Sequence, residues 1–260
     1  MDQKNASGRT VYLQNIPYVD AARRFLSSYS GIRSAEESIP VAASLGRVTS
    51  RPVFARLSSP HYHASAMDGI AVDSQTTWGA RETSPVLLTP GKDAFWVNTG
   101  DPLPDGTNAV VMVEDVHEHS SGQLEIIAAV APWENVRVYG EDMVETELIV
   151  PALWKLRPPD IGAILSGGHS EIWVYKKPVV AIIPTGSELV PPTKDPGPGQ
   201  IIDSNSSVFA AMVSEWGAEP VVYPIVPDDP GAIRTALREA SLSSDLILVS
   251  AGSSHGSRDF

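Results

Sequence analysis

The chain contains no cysteine, which excludes a disulfide framework, a thiolate nucleophile and a thiolate metal site. It has no apolar run approaching the ~18 residues that a membrane-spanning helix needs, so no bilayer span is expected. Basic charge is scarce: 19 Lys and Arg against 31 Asp and Glu give a formal charge of −12. Nucleic acid and anionic membrane both demand clustered Lys and Arg, so neither is an expected partner. The opening residues, Met1-Asp2-Gln3-Lys4-Asn5, lack the basic and then apolar profile of a signal peptide. The cytoplasm is the expected location. What is present is an apolar fraction of 42%, enough for ordinary cores, in a chain of 260 residues. That is long for one domain, and roughly two or three units are expected.

The texture changes along the chain. Tyr18, Ala22, Phe25, Leu26 and Tyr29 share one face at helical spacing, predicting an amphipathic helix over 19–29. Residues 39–46, with Pro40 in the first turn and Gly46 past the end, read as a short helix. From Val53 to about Arg137, short alternating apolar runs are broken by turn residues, as at Pro102–Gly106, Ser120–Gly122 and Pro132–Asn135. This stretch reads as an inserted all-β unit. Pro191 to Gly199 is a proline-rich surface loop.

From Val179 onward a βαβαβ pattern appears. Three apolar runs, Val179–Pro184, Pro220–Val226 and Asp245–Val249, alternate with helical stretches. They predict a parallel sheet with right-handed crossovers, whose ligands sit outside the carboxyl ends of the strands. The loops there are Thr185-Gly186-Ser187-Glu188, Pro227-Asp228-Asp229 and Ser250 to Asp259. A polar, phosphorylated ligand is the expected occupant. Asp203-Ser204-Asn205 offers capping oxygens to a helix that Gly217 closes, and Asp228-Asp229-Pro230 places an acidic cap before another. Asp228 therefore has two readings, cap or ligand contact, which are compatible.

The candidate chemistry follows from residue types. Ser250 to Ser257 holds two Gly and four Ser after a buried strand. Small residues there allow backbone N–H groups to approach an anion, although a surface turn would use the same composition. Glu188 and Asp259 would repel a phosphate unless a cation such as Mg²⁺ lay between. Within the β unit, Ala64–Val72 sets Asp68 beside Gly69 just before a strand, and Val97–Gly106 is a dense turn leading into another. Taken by themselves, both read first as plain hairpin turns. The pairs His61/His63 and His117/His119 lack a third ligand at suitable spacing and are expected to be solvated strand histidines.

Six strings occur in order: Ser65-Ala66-Met67-Asp68-Gly69, Asn98-Thr99-Gly100-Asp101-Pro102-Leu103-Pro104, Gly140-Glu141-Asp142, Thr185-Gly186-Ser187-Glu188-Leu189, Gly199 to Asn205, and Asp228-Asp229-Pro230. With them the chain resembles the MoeA family of molybdopterin molybdenumtransferases, related to the E domain of gephyrin, from about Val19 to Phe260. The resemblance implies an enzyme of molybdenum cofactor biosynthesis. Its substrates would be adenylated molybdopterin and molybdate (or tungstate), its cofactor Mg²⁺ and its released product AMP. It carries catalytic roles onto Asp68, Thr99, Asp142, Glu188, Asp228 and Asp259, with Glu188 and Asp259 as metal ligands. Substrate contacts fall on Thr185, Gly186, Ser187, Ser250, Gly252, Ser253, Ser254 and Gly256. Thr99 would donate to an oxyanion.

The implied fold is multidomain α+β and α/β: an elongated subunit with an inserted all-β domain, a small linking domain and a truncated parallel α/β molybdopterin-binding domain. The expected parts are an N-terminal helix (9–35) packing on the α/β domain, a linking domain in two pieces (36–53 and 143–177), the β insertion (54–142) and the α/β domain (178–260). A homodimer with its site shared between subunits is also implied. Where the family reads Ser-Gly-Gly-Val-Ser-Val-Gly, this chain has Ser250-Ala251-Gly252-Ser253-Ser254-His255-Gly256; Ala251 gives up the easy access to positive φ that glycine has. The chain stops at Phe260, before further family strands, and is expected to be a piece of something longer. A non-catalytic molybdopterin- or partner-binding module of the gephyrin kind competes with the enzyme. An adenylyltransferase of the sister family is disfavoured by the β insertion.

Overall fold

The computed structural model describes residues 16–28 and 34–250. The chain divides into two compact units, Ser38–Trp173 and the flanking segments up to Glu37 and from Val174. The described residues contain four α-helices, Tyr18–Ser28 (α1), Pro158–Ser166 (α2), Asn205–Glu215 (α3) and Pro230–Ser243 (α4), among mostly small sheets. No helix among them is long and apolar enough to cross a membrane.

The unit Ser38–Trp173 is built around an antiparallel three-stranded sheet of Gly69–Val72 (β1), Ala94–Val97 (β2) and Ala109–Met112 (β3), with β1 in the centre. Every residue of β1 is buried, because both of its faces are covered. Ile70 and Val72 point to one side and pack with Leu88, Val111, Leu124 and Ile126. Ala71 points to the other and packs with Val97 and Val110. This alternation is the period-two pattern of a strand. Leu88, Leu124 and Ile126 come from a second antiparallel sheet, Val86–Leu88 with Leu124–Ile126 and Val116–Glu118, so the two sheets bury a shared core. Each large aliphatic side chain buried there contributes roughly 1.5–3 kcal/mol. Gly69 begins β1 because nothing larger fits: a Cβ would lie 1.9 Å from the carbonyl oxygen of Val111.

In the same unit, α2 starts at a proline and ends at Gly167. Asp160 ties its first turn down by accepting from the Arg157 amide at 2.8 Å, the Arg157 guanidinium at 3.0 and 3.1 Å and the Trp154 indole at 2.9 Å. The guanidinium, foremost, holds this buried carboxyl well below the usual range. The expected helix over 39–46 is replaced. Ile39 and Pro40 belong to a strand, Glu36–Pro40, and only a 3₁₀ turn, Val41–Ala43, follows. The Val41 amide is drawn to the Ser170 carbonyl at 2.9 Å, a tertiary bond that outweighs local propensity.

The other unit carries the parallel sheet. Val179–Pro184 (β4) lies between Glu219–Val222 (β5) and Leu246–Ser250 (β6), parallel to both. Ala181 and Ile183 pack against α4, with Ala236 and Ala240, while Val180 and Ile182 pack against Val213 of α3. A central strand covered on both faces therefore reads as continuous apolar sequence. The second strand is shorter than expected, ending at Val222, since Pro224 has no N–H to continue the ladder. The amphipathic helix is α1, none of whose residues is buried. Tyr29 lies outside the described residues. The loop from Pro191 to Gly199 is exposed throughout.

Candidate functional site

At the carboxyl edge of the parallel sheet, Thr185 is lodged between the exits of the neighbouring strands. Its amide and its Oγ1 both donate to the Ser250 carbonyl, at 2.9 and 3.0 Å, and it makes a parallel bridge to Val226. The next amide, of Gly186, donates to the Val226 carbonyl at 3.1 Å. Gly186 adopts φ +153, and a Cβ there would lie within 3.0 Å of the Glu188 carboxylate carbon and both its oxygens. A glycine at this point lets the Glu188 side chain fold back over the loop. Ser187 and Asp228 hold each other reciprocally: the Ser187 amide donates to Asp228 Oδ2 at 3.3 Å, and the Asp228 amide to Ser187 Oγ at 3.2 Å. The helix cap is Asp229, whose Oδ1 accepts from the Ala232 amide at 2.8 Å. Of the two readings for Asp228, the cap is thereby assigned to its neighbour.

Glu188 also lines a cavity of about 320 Å³ with Thr185, Asp203, Ser204, Asn205 and Ser250. A short parallel ribbon, Leu189–Val190 with Ile201–Ile202, closes the proline-rich loop and returns Asp203 to the edge. Asp203 is buried and its Oδ1 caps α3 through the Ser206 amide at 3.1 Å. Sequence reasoning found this cap and missed that the same residue reaches the cavity. The available signal was an acid inside one of the six family strings. Gly252, Ser253, Ser254, Gly256 and Asp259 lie outside the described residues.

Asp68, Thr99 and Asp142 belong to the unit Ser38–Trp173. The turn Asn98–Asp101 is closed by Asp101, whose Oδ2 accepts from the Asn98 amide at 2.7 Å while Gly100 takes φ +92. This turn aims Thr99 at Asp68. The Thr99 amide and Oγ1 both donate to Asp68 Oδ1, at 2.7 and 3.0 Å. The amide first, and then the hydroxyl, hold the Asp68 carboxyl below the ordinary carboxylate range. The Thr99 hydroxyl expected to face an oxyanion is directed at Asp68. Asp142 receives Arg137 Nη2 on both oxygens at 2.8 Å and Ser59 Oγ at 3.3 Å. Among the described residues, no group of three or more His, Asp or Glu is placed to hold a metal.

All four paired histidines are exposed, as expected, but only His117 lies in a strand, and His63 Nδ1 accepts from the Tyr139 amide at 3.1 Å. A larger cavity, of about 630 Å³, is lined in part by Arg51, Phe54, Arg56, His169 and Trp173, and by none of the predicted site residues.

Residues 16–168 match the family described as MoeA N-terminal region (domain I and II), and residues 181–260 match the probable molybdopterin binding domain. The molybdopterin molybdenumtransferase of Nostoc sp. is 32% identical over 240 residues, 86% of this chain and 55% of the relative. Molybdopterin molybdenumtransferase 2 of Mycobacterium tuberculosis is 32% identical over 234 residues, 84% of this chain and 58% of the relative. The chain thus spans little more than half the length of these relatives. Two crystal structures of the molybdopterin biosynthesis MoeA protein of Pyrococcus horikoshii superpose with TM-scores of 0.79 and 0.77, at 29% and 26% identity. They cover 91% and 92% of this chain, and 66% and 64% of theirs. The chain belongs to the MoeA family.

Proposed function

We propose that this chain acts in molybdenum cofactor biosynthesis, in the insertion of molybdate into adenylated molybdopterin with release of AMP. The observation that carries the reading is the convergence of Glu188, Asp203, Thr185 and Ser250 on one cavity at the carboxyl edge of a parallel sheet, where such sheets take their ligands. Thr185, bonded to the adjacent strand exit, fixes the loop, and Ser187, whose Oγ accepts from the Asp228 amide and keeps its own proton, is the donor offered to a phosphate. Asp228, braced by Ser187, orients that donor and offers its remaining lone pairs to a substrate hydroxyl or water. In the other unit Asp68 stays ionised under the two donors of Thr99, ready to accept a hydrogen bond from substrate.

The donor set of the cavity suits Mg²⁺: two carboxylates, hydroxyls and the Asn205 carboxamide are hard oxygen ligands. Glu188 and Asp203 are the residues that would hold it. A bound Mg²⁺ supplies charge neutralisation to a phosphate anhydride lying between acids. Molybdate or tungstate is substrate in this scheme. A homodimer forms part of the proposal.

The test is AMP release from adenylated molybdopterin in the presence of molybdate and Mg²⁺, with Glu188→Gln as the informative variant. It keeps the side-chain shape and removes the charge. Turnover is expected to fall by at least about 10²-fold, the scale of a positioned acid–base or charge-handling group. Unchanged AMP release would remove Glu188 from the mechanism.

A further inference from the structure

In the unit that carries Asp68, one feature is left unused by the proposed reaction. Trp133 sits at φ +67 in the turn Pro132–Asn135, a conformation that is costly for a bulky residue and that Gly or Asn would adopt readily. Burial does not repay it, since Trp133 is 46% exposed. Its ring instead packs on His63, with centroids 4.7 Å apart at 38°, and His61 meets Tyr62 edge-on at 4.8 Å. Tyr62 and Tyr139 are also exposed.

These rings lie between candidate acids. The segment 59–65 begins at Asp142, whose amide donates to the Ser59 carbonyl at 2.8 Å. It ends at the Thr99 turn, where the Gly100 amide donates to the Ser65 carbonyl at 2.8 Å. Midway, the Tyr62 hydroxyl donates to the Gly100 carbonyl at 3.1 Å, and the Tyr139 amide donates to His63 Nδ1. Because Nδ1 accepts, the neutral His63 ring carries its proton on Nε2. The turn holding Trp133 is bonded to the Asp68 loop, the Ala66 amide donating to the Asn135 carbonyl at 2.9 Å. Tyr62 and His63 are thus held in place by backbone groups, and Trp133, packed on His63 by one face, remains 46% exposed.

We propose that Trp133, backed by His63, forms a stacking floor for a fused nitrogen heterocycle, a purine or a pterin, beside Asp68 and the Tyr62 hydroxyl. Flat π-faces bind such rings with little regard to substituents. Asp68 supplies the polar contact: Oδ1 is committed to Thr99, which leaves Oδ2 for an amino group on the ring edge. The inference rests on the proposed reaction for the identity of the ring, since adenylated molybdopterin carries both kinds.

The experiment is direct titration of the chain with AMP and with neopterin, ribose 5-phosphate serving as the phosphate without a ring. Trp133→Gly is the first variant, since glycine accepts positive φ and the turn survives; circular dichroism checks the fold, and Trp133→Asn, equally tolerant of that φ, replaces it if needed. His63→Leu is the second. The unaltered chain is expected to prefer at least one heterocycle to ribose 5-phosphate. Trp133→Gly should weaken that binding by about 5- to 150-fold, the loss of one stacking partner, without touching ribose 5-phosphate binding. Preference for AMP assigns the floor to the adenine, and preference for neopterin to the pterin. No preference, no measurable binding of either ring compound, or unchanged affinity in both variants overturns the proposal. Binding is read without turnover, so the two readings fail separately. A chain that releases AMP but binds rings equally well without Trp133 overturns the floor alone. A chain that prefers the rings but releases no AMP overturns the reaction alone.

Discussion

Replacing Gly69 by alanine tests the steric account of the Asp68 site. The added Cβ would meet the Val111 carbonyl oxygen at 1.9 Å and the carbonyl carbon at 2.9 Å. Ordinary van der Waals contact begins near 3.4 Å, so β3 must retreat from β1 by roughly 1 Å or more. Both contacts are backbone atoms of β3, held in the ladder with β1, and cannot rotate away as a side chain would. Overpacking of this kind costs about 1–3 kcal/mol, and each ladder hydrogen bond strained by the retreat costs about 1 kcal/mol more. A loss of about 3 kcal/mol is expected. Gly162 provides the opposite sign: it lies inside α2, and a Cβ added there would have nothing within 4 Å. Gly162→Ala should therefore stabilise by about 0.5–1 kcal/mol through helix propensity. Urea denaturation followed by tryptophan fluorescence reports on the right unit, since Trp78, Trp96, Trp133, Trp154 and Trp173 all fall within it. A Gly69→Ala midpoint equivalent to less than about 0.5 kcal/mol of loss would refute the reasoning, because a clash between backbones cannot be relieved so cheaply.

Asp160→Ala removes the bonds at the start of α2 and strands the Trp154 indole N–H, and should cost about 2 kcal/mol in the same denaturation assay. Because folding depresses the Asp160 pKa, its contribution is complete above the unfolded value of about 3.9 and is lost as pH falls through the folded one. The stability gap between the parent and Asp160→Ala should therefore narrow only below about pH 4. Thr99→Val deletes one of two donors to Asp68, so the Asp68 carboxyl should titrate higher than in the parent when followed by carbon-detected NMR, and an unmoved titration would contradict the assigned bond. Mixing Asp68→Ala and Glu188→Ala chains tests the proposed homodimer: recovery of AMP release in verified heterodimers supports a site shared between subunits, and no recovery counts against it.

Much of the parallel sheet was legible because its central strand is buried on both faces. Val179–Pro184 then shows as an uninterrupted apolar run, needing no partner to be recognised. The end of β5 was not legible, since Pro224 is compatible with an apolar run and incompatible with a ladder. Residues 39–46 failed for a related reason: the proline and glycine that mark a helix also frame a strand end and a 3₁₀ turn, and the deciding bond comes from Ser170. Turn residues such as Gly100 and Gly186 were visible as turns. The steric demand on Gly69 was not, because it comes from Val111, a residue distant in sequence that only the sheet register brings alongside.

The candidate acids show the same limit more sharply. A sequence displays carboxylates and says nothing of which are already engaged. Asp68 is occupied by Thr99, Asp142 by Arg137 and Ser59, and Asp228 by Ser187, each partner 5 to 83 positions distant. A carboxylate so engaged is held in place, which suits it to orienting a neighbour. Glu188 differs: it reaches a cavity beside a second acid, and no described residue donates to its oxygens. Lone pairs left unspent by the fold are the ones available to a cation or a proton. That difference in hydrogen bonding, rather than position in a motif, is the reason the charge on Glu188 is expected to matter most to turnover.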